Sequence, residues 1–166
     1  MPFPRGRSNI ADVATSFAPV TPLERLSVLT LRMSASTLET IKTLTTEALE
    51  PLERETFLSD LASAHGRGVF EISTCNRVMY AGMAEDIEQL RASVEQTTGI
   101  VLDSVSEFSG KDAWEHLVMV TSGLDAFVLG ELQVLGQMRT AIERHRQSDD
   151  ADPELVRLLE QVVWAS

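Results

Sequence analysis

Cysteine is nearly absent from this chain: its 166 residues hold one, Cys75. A single thiol excludes an intramolecular disulfide framework and any zinc site built on several cysteines, so no metal centre is expected. Cys75 is then either a buried apolar filler or a reactive thiol. Positive charge is scarce as well. Lys and Arg total 14 against 25 Asp and Glu, a formal charge of −11, which argues against a broad phosphate-binding surface but leaves room for a local basic patch. No apolar run approaches the ~20 residues that span a bilayer. The two arginines of the opening Met1–Arg7 are not followed by a continuous apolar stretch before Asp12, so neither a membrane span nor a signal peptide is read, and a cytoplasmic protein is expected. Repeats and low-complexity tracts are lacking too. What is present, 43% hydrophobic residues, 23% charged residues and a mean hydropathy of −0.01, describes an ordinary globular domain with one core.

Four of the six prolines fall within residues 1–24, which show no periodicity and read as a flexible N-terminal extension. Residues 25–150 then form the main domain. Leu26–Leu31 alternates like a strand. Ser36 or Thr37 is placed to cap a helix running through Leu49, and Pro51 opens a second through Leu61, ending before Gly66 and Gly68. Gly68–Ser73 and Arg77–Gly82 read as the two strands of a hairpin. A helix over Asp86–Thr97, with Ile87, Leu90 and Val94 at helical spacing, leads to an expected last strand at Ile100–Val105. This order predicts an α+β fold: a ferredoxin-like βαββαβ sandwich, followed by C-terminal helices. From Lys111 the chain reads as helical, punctuated by Gly123, Gly130 and Gly136. Residues 151–166, with Pro153 at a first helical position, read as the start of a linker helix cut inside a longer protein.

Two stretches carry candidate chemistry. In Ser73-Thr74-Cys75-Asn76-Arg77 a cysteine at a strand end lies two residues from an arginine. Local positive potential favours the thiolate, which is the nucleophile, and a two-residue step along a strand puts both side chains on one face. On these residues alone, the commoner case for such a pair is a small core cysteine and an arginine as a surface charge. The second stretch, Ser122–Gln137, sets Asp125, Glu131, Gln133 and Gln137 in a crowded apolar run. Buried there, these groups need partners; at a helix end they would face solvent.

The first stretch resembles the Ser-Thr-Cys-Asn-Arg signature of glutamyl-tRNA reductases. His116-Leu117, Val120–Asp125, Val128–Glu131 and Gly136-Gln137 resemble their second signature, in the same order and separation. The resemblance covers roughly residues 26–165 and implies the N-terminal catalytic domain of that NADPH-dependent enzyme family. It implies that Cys75 attacks the ester of glutamyl-tRNA to give a glutamyl thioester, which NADPH reduces to glutamate-1-semialdehyde for tetrapyrrole biosynthesis. By the same resemblance Thr74 and Arg77 hold the glutamyl group, Glu131 and Gln137 form the pocket wall, and His116 lies near the sulfur as a catalytic candidate, either a base or a structural hydrogen-bonding residue. Implied partners are glutamyl-tRNA, glutamate-1-semialdehyde aminomutase and, in a full-length protein, a second copy.

The sequence also departs from that pattern. The family's His-Lys-Thr-Ala-Pro block reads Arg32-Met33-Ser34-Ala35-Ser36 here, Ala126 replaces a serine and Leu132 a proline. No Gly-x-Gly-x-x-Gly turn follows a strand, so no NADPH site is expected within this chain. The alternative reading is a stand-alone, non-reducing paralogue that binds an aminoacyl-tRNA, a haem-pathway partner or a small ligand.

Overall fold

The computed structural model describes residues 21–74, 76–125 and 133–166. Four strands, β1 (Leu26–Arg32), β2 (Val69–Thr74), β3 (Arg77–Met83) and β4 (Ser106–Ser109), form one antiparallel sheet in the order β2-β3-β1-β4. Helices α1 (Leu38–Leu44) and α2 (Pro51–His65) make the first crossover and α3 (Ile87–Thr98) the second. This is the expected ferredoxin-like arrangement. Three further helices, α4 (Gly110–Thr121), α5 (Gln133–Gln147) and α6 (Pro153–Ala165), follow it.

The alternation of β1 explains why helices cover both sides of the sheet. Leu26 and Val28 point to one face, where they join Phe70, Met79, Leu117 of α4, Met138 of α5 and Leu159 of α6. Leu29 and Leu31 point to the other, against Tyr80, Ile41 of α1, Leu61 of α2 and Leu90 of α3. A central strand buried on both faces reads as a continuous apolar run, and β1 is buried from Leu26 through Leu31. Each such side chain contributes on the order of 1.5–3 kcal/mol relative to exposure.

Local chemistry fixes the ends of the elements. Glu50 and Glu53 close a capping box at the start of α2, and Gly66, at φ 81°, ends it in the left-handed conformation that glycine adopts without a Cβ clash. Pro153 is the first residue of α6, and the Asp152 carboxylate accepts from the Glu154 and Leu155 amides. Arg67 pairs with Asp152 at 2.7 Å and with Glu154 at 2.8 Å, while Arg25 pairs with Glu154 at 2.7 Å. These contacts tie α6 to the residues just before β1 and β2.

Three expectations are corrected. The first helix stops at Leu44 rather than Leu49 because Thr45 is extended. The following turn is held instead by Thr46 Oγ1 donating to the buried Glu71 carboxyl at 2.6 Å and by Arg54 donating twice to the Thr46 carbonyl. The last strand is Ser106–Ser109, not Ile100–Val105. Leu102 there is held through its amide by Glu95 and through its carbonyl by Arg91, while the true edge strand offers Phe108 as its one apolar residue. Of the glycines expected to punctuate the helical region from Lys111, Gly123 does so, turning at φ 72° after α4 ends at Thr121, and the correction falls on the third. Gly136 lies inside α5 and does not break it. Gly130 and most of the expected extension, residues 1–20, lie outside the described residues.

Candidate active site

One end of the sheet gathers the residues singled out by sequence. Arg32 closes β1 and Arg77 opens β3 directly opposite it, while Thr74 closes β2 on the other side of Arg77. Counting by twos from Val28 and Met79 puts Thr30, Arg32 and Arg77 on the face covered by α4. The Met33 amide donates to the Asn76 carbonyl at 2.7 Å, extending the β1–β3 ladder one step further. Thr37 Oγ1 donates to the Arg32 carbonyl at 2.6 Å. The backbone on both sides of Arg32 is thus fixed, and Asn76 is fastened to the end of β1.

Arg77 is no surface charge: it is 3% exposed. Its guanidinium finds a carboxylate in Asp125, whose Oδ2 lies 2.9 Å from Nη2, and it also donates to the Asp125 carbonyl at 3.1 Å. Arg32 approaches the same residue, donating through Nη2 to that carbonyl at 2.9 Å, with Nη1 at 3.5 Å from Oδ1. Asp125, flagged in the sequence as needing a partner, therefore has two. Burial holds the Arg77 pKa below its ordinary value, Asp125 opposes this, and the neighbouring Arg32 adds to the lowering; a guanidinium remains a cation throughout. Among the described residues, the buried Arg77 Nη1 has no hydrogen-bond partner.

His116 comes from α4. Its ring stacks on Phe108 of β4 with centroids 4.0 Å apart and planes 11° from parallel, and Nε2 lies 2.8 Å from Thr30 Oγ1. Burial, then the positive charge of Arg77, lowers its pKa from 6.5 to about 4, with Asp125 pulling the other way. The ring is neutral at pH 7. Taking a proton from a thiol of ordinary pKa near 8.5 would cost it about 6 kcal/mol, so the geometry suits hydrogen bonding better than holding a transferred proton.

Thr74 Oγ1 donates to the Asn76 side chain at 3.3 Å and to the Arg77 carbonyl at 3.4 Å, which stiffens the hairpin end. Gln137 is half-buried on α5, and no hydrogen bond among the described residues joins it to the Arg77–Asp125 pair. Cys75 and Glu131 lie outside the described residues, as do Ala126 and Leu132. Among the described residues no group of three His, Cys, Asp or Glu could hold a metal ion, and no helix is long and apolar enough to cross a membrane. A groove of about 1100 Å³ runs along β2 between α2 and α5, past Arg54, Glu71 and Arg144. None of the sequence-predicted site residues lines it, so it is not the site assembled around Arg77. Sequence reasoning flagged Arg32 only as part of a block that departs from the family pattern, and it missed Thr30 and Phe108 as neighbours of the site, because strand register, which no periodicity reveals, is what places them there.

The description "Glutamyl-tRNAGlu reductase, N-terminal domain" belongs to a family model that matches residues 23–166. A glutamyl-tRNA reductase of Kocuria rhizophila is 33% identical over 136 residues, which is 74% of this chain and 30% of that protein. One of Acinetobacter baumannii is 34% identical over 99 residues, 57% of this chain and 23% of its own length. The structure titled "Glutamyl-tRNA Reductase from Methanopyrus kandleri" superposes with a TM-score of 0.66 at 25% identity, covering 84% of this chain and 33% of that one. The aligned part of this chain spans at most about a third of the length of each of these proteins.

Proposed function

The chain belongs to the glutamyl-tRNA reductase family, to whose N-terminal domain it corresponds, and from that premise we propose that it carries out the acyl-transfer half of the family's reaction with Cys75 as nucleophile. The observation that carries this reading is the setting of the hairpin end. Residue 75 is bracketed by the paired Thr74 and Arg77, and Arg77 is a buried cation two positions away. A fixed guanidinium favours the thiolate and offers a fork for a carboxylate.

In the proposed step the Cys75 Sγ attacks the carbonyl carbon of the glutamyl ester. The carbon–oxygen bond to the terminal ribose breaks, the tRNA leaves as the alcohol after taking a proton, and a glutamyl thioester remains on the chain. Thr74 and Arg77 hold the glutamyl group, with Glu131 and Gln137 as the wall of the pocket. His116, neutral and hydrogen-bonded to Thr30, stacks beside the site as a positioning group. NADPH would supply the hydride that converts the thioester to glutamate-1-semialdehyde for tetrapyrrole biosynthesis. The described part of this sheet is antiparallel throughout and has no glycine-rich strand-to-helix turn for a dinucleotide, so no step through that cofactor is assigned to these residues. In a longer protein residues 25–150 would be the catalytic unit, residues 151–166 the beginning of a linker helix, and dimerisation a property of further segments. Its setting would be the cytoplasm, with glutamate-1-semialdehyde aminomutase as the partner receiving the aldehyde.

A second reading, a non-reducing relative that accepts another ligand, is favoured by one observation: the segment Arg32–Ser36 departs from the family pattern and Arg32 stands at the site. Mass measurement of the intact chain after brief incubation with glutamyl-tRNA and acid quench separates the two. Wild type is expected to gain a glutamyl adduct, and Cys75→Ala none. A wild type that alkylates readily at Cys75 yet gains no adduct would overturn the reductase-type reading in favour of the second.

A further inference from the structure

β2 is an edge of the sheet, and the ladder registers say which of its main-chain groups face outward. The Met33 amide bonds the Asn76 carbonyl, so Val78, Tyr80 and Gly82, at two-residue steps from Asn76, turn their main-chain groups toward β1. Arg77, Met79 and Ala81 therefore turn theirs toward β2, where they meet Thr74, Ile72 and Phe70. The amides and carbonyls of Val69, Glu71 and Ser73 are left facing away from the sheet, and no hydrogen bond among the described residues engages them. Val69 and Glu71 are buried, and buried main-chain groups are nearly always paired.

These groups lie at the floor of the groove of about 1100 Å³ between α2 and α5. Leu61 of α2 packs on the face that carries Val69, and Met138 of α5 on the face that carries Phe70. Residues of both helices line the groove beside β2, so it continues the layer of the sheet itself, where a further strand would lie about 4.8 Å away. A second copy of this chain fits poorly there, because its own β2 edge is recessed between the same two helices. A single extended segment has no such obstacle. One wall carries an unmatched charge. Arg25, Arg67, Arg77 and Arg91 each hold a carboxylate, whereas the half-buried Arg144 makes no hydrogen bond or ion pair with any described residue. Burial and then the nearby Arg54 hold its pKa below the ordinary value, and Glu71 opposes them. Glu71 is itself engaged by the Thr46 and Ser73 hydroxyls, and Arg54 by the Thr46 and Glu47 carbonyls. A guanidinium set against a desolvating wall calls for an oxyanion. The exposed acids Glu55, Asp60, Asp149 and Asp150 on the rim repel a polyanion, so one acidic side chain suits the groove and an acidic run does not.

We propose that the β2 edge is a docking site for an extended segment of a partner protein, which adds a fifth strand to the sheet and sets one carboxylate side chain against Arg144. Main-chain bonds to Val69, Glu71 and Ser73 supply affinity in this mode, and the side chain in its seat selects the partner. The site is separate from the chemistry proposed for Cys75 and does not depend on it.

The test uses the whole chain and a blocked pentapeptide of valine and threonine around one central glutamate, at millimolar concentration, with amide hydrogen exchange followed by NMR. At saturation the Val69, Glu71 and Ser73 amides are expected to exchange about tenfold more slowly or slower still, while Phe70 and Ile72, already bonded to β3, change little. The same peptide with glutamine for glutamate should bind about tenfold more weakly, the scale of a lost hydrogen bond to a charged group. Arg144→Gln should remove that difference, Arg144→Lys should keep part of it, and both variants should unfold near the wild-type temperature because Arg144 bonds nothing within the described fold. A peptide methylated at its main-chain nitrogens should not bind. No slowing at the three amides would overturn the proposal. So would equal binding of the methylated peptide, which would reveal a carboxylate site without strand addition, and so would a glutamate preference that survives in Arg144→Gln.

Discussion

Protonation of His116 should destabilise this fold, and by an amount the structure sets. The ring is enclosed by Phe108 and Thr30 and lies in the field of Arg77 and Arg32, which together with burial bring its pKa to about 4. In the unfolded chain it titrates near its ordinary 6.5. As the pH falls below 6.5 the unfolded chain takes up a proton that the folded chain refuses until about 4, so stability falls as the pH falls. The slope from this one group is at most about 1.4 kcal/mol per pH unit, and the total by pH 4, discounted for solvent screening of a partly buried ring, is about 1–3 kcal/mol. Urea unfolding of wild type and of His116→Phe, which can still stack on Phe108 but cannot titrate, measures the difference at steps from about pH 7 to about pH 4.5. His145, whose pKa burial also lowers, and the carboxylates are present in both proteins and cancel in the difference. The stability gap should shift toward the variant by most of that total as the pH falls. Parallel pH profiles, or a His116 ring resonance that titrates near its ordinary pKa, would refute the electrostatic account of the site and restore His116 as a candidate proton acceptor.

Two further substitutions probe the frame around the site. Asp125→Ala leaves the buried Arg77 guanidinium without its carboxylate and should cost about 2–4 kcal/mol, more than Arg77→Met, which leaves Asp125 partly exposed and still beside Arg32; a reversed order in denaturant unfolding would contradict the assignment of Arg77 as the deeper partner. Gly68→Ala would place a Cβ 2.0 Å from the Asp150 carbonyl oxygen and 3.0 Å from the Asp152 amide, both backbone atoms, so the turn before α6 must move off the start of β2. We expect a loss of about 3 kcal/mol or more in stability, and a thermal midpoint equal to wild type would show that this contact is not made.

The sheet was legible from sequence where burial is one-sided or complete, because there the apolar pattern and the structure answer to the same force. Leu26–Leu31, the hairpin around residues 75 and 76 and the spacing of Ile87, Leu90 and Val94 are of this kind. It was not legible at β4, whose Ser-Glu-Phe-Ser is an edge carrying one apolar side chain, while the more strand-like Ile100–Val105 folds as a loop over the second core cluster. Nor was it legible at Leu44, where the helix yields to a turn held by Thr46, Glu71 and Arg54, residues 25 and 8 positions apart in their bonds. For the site, local motif reading found Thr74, Arg77, His116 and the need of Asp125 for a partner. Arg32 was flagged from the sequence as a departure from the family block, but its place opposite Arg77 needed the register, since nothing in the order of residues says which strand lies beside which.

The acidity of the chain bears on where recognition can reside. A surface carrying −11 overall repels a polyanion, and many of its cations are already engaged: Arg25 and Arg67 with Glu154, Arg91 with Glu107, Lys111 with Glu115, Arg146 with Glu143. Such exposed pairs add little to stability, but they neutralise charges that would otherwise meet phosphates. Under the proposed function, the described residues that carry these pairs would add little to phosphate binding or to its salt dependence. Discrimination then has to come from the end of the ligand that enters the protein. That requirement suits the sheet end, where Arg77 is withdrawn from solvent and pairs with Asp125. Under the proposed function, this domain would read the amino acid closely and contribute little to holding the nucleic acid.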